Sequence, residues 1–145
     1  MTALKAISPR EASIFACVCD TVVAPGDALP PVRETDAALF FDRWMMRSPR
    51  LNRLALRVLL HVVELSPRAM GFGGRLRALD EAERGEYLRA VERAAAPQVR
   101  QLVKLVKGMA SLAYYGDDAV MLRVGYDAEA NLRRGRELRA LEGRP

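Results

Sequence analysis

The chain has 145 residues, 50% of them hydrophobic, with 23 Lys plus Arg against 18 Asp plus Glu and a formal charge of +5. That length suits one domain with a real core, and the apolar content excludes a compositionally disordered chain. Basic and acidic side chains are mixed through both halves and most Arg lie near an Asp or Glu, so there is no basic arm and nucleic acid is disfavoured as a partner.

Met1 to Lys5 leads into Ala-Ile-Ser-Pro, not into an apolar run, and no twin-Arg signal precedes the first helix. No uncharged stretch approaches the length of a bilayer span. With Met1 as the start, these features predict a cytoplasmic protein without a transmembrane segment.

Ser8-Pro9-Arg10-Glu11 predicts a helix start: Ser8 caps, Pro9 fits the first turn and Glu11 completes a capping box. Ile14, Phe15, Val18, Cys19 and Val22 share one face, and the helix must end near Ala24 because Pro25-Gly26 follows. Cys17 and Cys19 point about 200° apart on a helix, so they neither pair nor chelate one metal and read as small core or boundary residues.

After a Pro-rich loop, Thr35 or Asp36 caps a second helix whose Phe40, Phe41, Trp44 and Met45 form an aromatic core face, with Asp42, Arg43 and Arg47 turned to water. Ser48-Pro49 opens a third helix, expected to run to Leu65. It is apolar nearly all round: Leu51, Leu54, Ala55, Val58 and Val62 on one side, Leu56, Leu60 and Val63 on the other. Only Arg53, Arg57, His61 and Glu64 form a polar strip, so this helix is expected to be buried at the centre of the bundle. His61, the single histidine, lacks convergent partners in the sequence and reads as partly exposed.

Gly71-Phe72-Gly73-Gly74 interrupts the connection 66–79. Without a preceding strand it is no phosphate loop, and Phe72 reads as an anchor into the core. Asp80 and Glu83 cap a fourth helix over about 81–94, with Tyr87, Leu88, Val91 and Ala95 inward. Pro97 opens a fifth, with Val99, Leu102, Val103, Val106, Met109, Ala110 and Ala113 inward and Arg100, Lys104, Lys107 and Ser111 outward. Gly116 stops it, Asp117 starts a short helix and Gly125-Tyr126 stops that. Arg133, Arg134, Arg136, Arg139 and Arg144, broken by Glu129, Glu137 and Glu142, make a basic helical tail that orders against a partner. The expected fold is all-α: one bundle of about five main helices plus a short one over residues 1–127, and a tail over 128–145.

No Glu-x-x-His pair, zinc spacing, nucleophile elbow or sustained heptad occurs in the sequence. The order of features resembles the gluconate 2-dehydrogenase subunit 3 family. It is carried by Asp20-Thr21-Val22-Val23-Ala24-Pro25, the Pro-rich loop, the two hydrophobic helices, Phe72, Leu79, Arg84, and Tyr114-Tyr115-Gly116-Asp117 with Gly125-Tyr126 beyond it. Ala24 is one residue more than that pattern has before Pro25, the family's frequent twin-Arg signal is missing, and the tail is additional.

The resemblance implies a non-catalytic accessory subunit of a large FAD-dependent dehydrogenase of the GMC type, with FAD in the partner and no catalytic, cofactor-binding or metal-binding residue in this chain. Asp20, Thr21, Pro25, Tyr114, Tyr115, Gly116, Gly125 and Tyr126 are the candidate partner-binding residues. The tyrosine hydroxyls sit at chain reversals and need partners, although Tyr114 and Tyr115 could equally seal the end of the bundle. The alternative is a stand-alone helical ligand-binding or regulatory domain acting as a homodimer, with Phe40, Phe41, Trp44 and Tyr87 lining a pocket.

Overall fold

The computed structural model describes residues 4–94, 96–141 and 143, so Met1, Ala95, Glu142 and Arg144 lie outside the described residues. Those residues form seven α-helices and no strand: α1 (Pro9–Val23), α2 (Ala37–Arg47), α3 (Arg50–Ala69), α4 (Glu81–Glu92), α5 (Pro97–Tyr115), α6 (Asp118–Arg123) and α7 (Ala128–Leu141). Single 3-10 turns at Val32–Glu34 and Leu76–Ala78 break the two long connections.

The starts of α1 and α4 follow the local chemistry read from the sequence. α2 and α3 instead begin after Asp36 and Pro49 without a side-chain cap on those residues, and the Ser48 hydroxyl donates back to the Trp44 carbonyl of α2. Ser8 Oγ accepts from Glu11 N while Glu11 Oε2 accepts from Ser8 N at 2.7 Å, and Asp80 with Glu83 repeats the reciprocal arrangement at α4. Pro25 denies its predecessor the right-handed helical region, and α1 ends on Ala24 in the left-handed conformation (φ 43°). α3 runs one turn beyond Leu65, through Pro67. Proline cannot donate to the carbonyl of Val63, and the Ser66 hydroxyl takes that place at 3.5 Å. Gly71 (φ 90°) then reverses the chain, with Phe72 N donating to Pro67 O, and Phe72 meets the edge of Tyr87 as a core anchor.

α1, not α3, is the central helix. Ile14, Phe15, Val18 and Cys19 are essentially solvent-free, and α2, α3, α4 and α5 all lie against α1. Phe15 stacks on Phe41 of α2 with ring centroids 4.2 Å apart. α3 buries only Leu60, Glu64 and Pro67, while Leu51, Leu54, Val58 and Val62 are more than half exposed. The all-round apolar pattern of α3 therefore does not mean all-round burial by this chain. Trp44 and Leu102, expected inside, are 39% and 45% exposed.

Two carboxylates, Asp42 and Glu64, correct the sequence reading in the opposite direction, and a third, Glu11, is buried while it caps α1. Asp42, expected to face water, is buried and gathers the N–H groups of Lys5, Ala6 and Ile7 at 2.8–3.1 Å. It thereby pins the segment before α1 to α2. Glu64, placed in the polar strip, is 1% exposed and accepts from Arg77 Nε at 2.9 Å, joining α3 to the second 3-10 turn. Glu11 is buried beneath Arg57 and His61, with Arg57 Nε at 3.5 Å and His61 Nε2 at 3.9 Å, and Arg57 also donates to the Ala6 carbonyl.

Burial alone would raise the pKa of Asp42, but the backbone donors of residues 5–7 and the nearby Lys5 charge outweigh it and hold it below its ordinary 3.8. A carboxyl lowered in the folded state stabilises the fold above its unfolded pKa, and that stabilisation is lost as pH falls through the folded value. Stability should therefore decline below about pH 5, and Asp42→Asn should flatten part of that decline. At neutral pH the same variant should unfold about 2–3 kcal/mol more easily, because an amide cannot accept all three donors. Urea titrations across pH check both outcomes.

Candidate partner-binding surface

The outer face of α3 is an apolar stripe. Leu51, Leu54, Val58, Val62 and Leu65 recur at steps of three and four, so they fall within about a quarter of the helix circumference and span about 20 Å. They lie opposite the buried Leu60, Glu64 and Pro67, and their exposures run from 76% at Leu51 to 48% at Leu65. Arg50, Arg57 and Arg68 share one edge of the stripe at seven- and eleven-residue steps.

On the other edge the stripe passes into a cavity of about 280 Å³ between α3, α4 and α5, floored by Val18 and Val22 of α1. Val62 belongs to both stripe and cavity, and Leu102 of α5 forms the opposite lip. The cavity's walls are nearly all aliphatic. Its polar groups are largely spent on each other: the Ser66 and Tyr87 hydroxyls bond at 2.6 Å, and Lys107 pairs with Glu92. Burial raises the Tyr87 phenol despite the Ser66 bond, so it stays neutral. Such walls suit an aliphatic group or helix face. Among the described residues, no three His, Cys, Asp or Glu side chains come together as a metal site requires. No described helix is long and apolar enough to cross a membrane.

The candidate residues read from the sequence do not converge on this surface. Asp20 and Thr21 lie at the end of α1: Asp20 pairs with Arg84 of α4 at 3.1 Å, and Thr21 bonds the Cys17 carbonyl and edges the cavity. Pro25 is half-buried at the start of the loop. Tyr114 is fully buried and donates to the Pro30 carbonyl at 2.6 Å, tying that loop to the end of α5. Burial, then Tyr115 and Asp117, push its phenol up. Tyr115 packs edge-on against Tyr114 but is 45% exposed, and Tyr126 is 52% exposed.

Gly116 closes α5 with ordinary right-handed torsions; its glycine is required because a Cβ would fall 2.7 Å from the Leu112 carbonyl. Gly125 (φ 74°) caps α6, where Gly125 N donates to Leu122 O and Tyr126 N to Met121 O. Asp117, left out of the candidates, caps α6 with Oδ1 and holds the N–H of Asp36 with Oδ2 at 2.8 Å. Of the aromatic residues expected to line a pocket, only Tyr87 does; Phe41 is in the core. α7 buries none of its residues. The sequence carries the stripe as a third helix with more apolar circumference than one bundle uses, and periodicity alone does not separate that surplus from burial.

No family model, curated protein or solved structure matches this chain.

Tyr114→Phe should cost about 1 kcal/mol in a denaturant titration, because it orphans the Pro30 carbonyl, whereas Tyr115→Phe and Tyr126→Phe should change stability by less than about 0.5 kcal/mol. The cysteines supply a second check. Burial, with Asp20 and Cys17 adding to it, pushes the Cys19 thiol up to about 12, and Cys17 is only partly covered. Intact-mass measurement with a maleimide at neutral pH should show one adduct on the folded chain, at Cys17, and a second only in denaturant.

Proposed function

We propose that this chain is a non-catalytic accessory subunit that binds and stabilises a large FAD-dependent dehydrogenase subunit of the GMC type, the partner oxidising a sugar or other alcohol. The observation that carries the reading is the uncovered apolar stripe of α3. A ladder of aliphatic side chains opposite a helix's buried face is destabilising in water and becomes favourable once a second protein covers it. The order of motifs from Asp20-Thr21 to Gly125-Tyr126, similar to that of gluconate 2-dehydrogenase subunit 3, supplies the class of partner. On this reading Tyr115 and Tyr126 provide a secondary polar contact, and the flavin chemistry belongs wholly to the partner.

The cavity between α3, α4 and α5 favours a second reading: a stand-alone helical domain that takes an apolar ligand. Binding of a small aliphatic ligand by the isolated, monodisperse chain would support it.

Co-expression of the tagged chain with a GMC-type large subunit from the same genome tests the first reading. A complex carrying flavin absorbance should elute from the affinity column, and the large subunit should lose solubility when expressed alone. A chain that elutes without a flavoprotein overturns the proposal.

A further inference from the structure

The cavity between α3, α4 and α5 runs deeper than the stripe beside it. Val18 on its floor and Leu76 in its wall are essentially solvent-free, so it reaches the core, and it opens through a groove between Val62 of α3 and Leu102 of α5. Its volume of about 280 Å³ is roughly twice that of an apolar protein cavity that takes up benzene. An aliphatic molecule of about eight to ten carbons matches that volume. A single leucine or methionine side chain of a docked protein would fill about half of it.

The wall defines the ligand further. Among its described residues Tyr87 is the one aromatic, and its ring already meets Phe72 edge-on, so no platform is left for a flat ring. Lys107 is the one charged residue of the wall and is paired with Glu92, so neither a carboxylate nor an ammonium would find a free counter-charge there. The Ser66 and Tyr87 hydroxyls carry two protons, and one lies between their oxygens, 2.6 Å apart. The second, when it sits on Ser66, has the Val63 carbonyl as acceptor at 3.5 Å, the long limit of a hydrogen bond. A ligand oxygen brought to this pair is a better acceptor.

We propose that the cavity binds an uncharged aliphatic molecule of about eight to ten carbons bearing one hydroxyl or carbonyl oxygen, with that oxygen on the Ser66–Tyr87 pair and the chain against Val22, Val91 and Val103. This names the ligand of the second reading above, and it rests on that reading for the cavity being a ligand site. It is independent of the flavoprotein partner.

Isothermal titration calorimetry of the full chain with 1-octanol should show one site per chain, and 1-butanol, octanoate and octylammonium should each bind at least about tenfold more weakly. Val91→Phe, which places a ring in the cavity, should abolish octanol binding; Val62→Trp at the exposed lip is the second blocking variant if Val91→Phe melts early. Val58→Glu lies on the stripe outside the cavity and should leave octanol affinity unchanged. Tyr87→Phe keeps the ring and should shrink the preference for octanol over octanoate at least about fivefold. Equal binding of octanol and the two ions, or an unchanged preference in Tyr87→Phe, would overturn this ligand class and leave the second reading standing. Binding of none of the probes by a chain with an intact melting transition would overturn both. Octanol binding lost in Val58→Glu but kept in the blocking variants would move it to the stripe and overturn the cavity site.

Discussion

Ile14, Phe15, Val18 and Cys19 give up essentially all contact with water, and a helix of 15 residues cannot do that with one neighbour. Covering α1 is the constraint from which the rest of the arrangement follows. α2 supplies Phe41 and Met45 over Phe15, α5 supplies Met109, Ala110 and Ala113, and α4 closes the C-terminal half with Tyr87. α3 needs only Leu60 and its immediate neighbours for its share of that cover. Its remaining apolar residues are then surplus to this chain, and the surplus makes the surface available for another molecule.

The joints around α1 are polar and specific. Asp42, Glu11 and Glu64 each take several donors where a water-facing carboxylate would take solvent, and each joins segments that hydrophobic contact alone would leave free to slide. Asp117 does the same at the far end, capping α6 and holding the start of α2 with its two oxygens. None of these roles follows from periodicity. Asp42 and Glu64 sit on the polar side of their helices in any helical projection, and only the arrival of residues 5–7 and of Arg77 encloses them.

The tyrosines show the same division at the candidate site. Tyr114 and Tyr115 are adjacent, identical in type and equally eligible as contacts when read from the chain. In the fold, one turn of α5 aims Tyr114 at the Pro30 carbonyl and leaves Tyr115 at the surface. For Tyr114 the hydroxyl's partner lies within the chain, which periodicity could not show.

Local chemistry was legible in the sequence because it depends on residues a few positions apart: the capping boxes at Ser8 and Asp80, the proline and glycine stops, the all-α class and the inward face of α1. Which apolar face of α3 is covered, which carboxylates are enclosed and where the groove opens are decided by the tertiary structure. Each depends on what a distant segment brings against the helix, and helical periodicity records that a face is apolar without recording what packs on it. The bare stripe of α3 lies at that boundary, apolar in the sequence and uncovered in the fold.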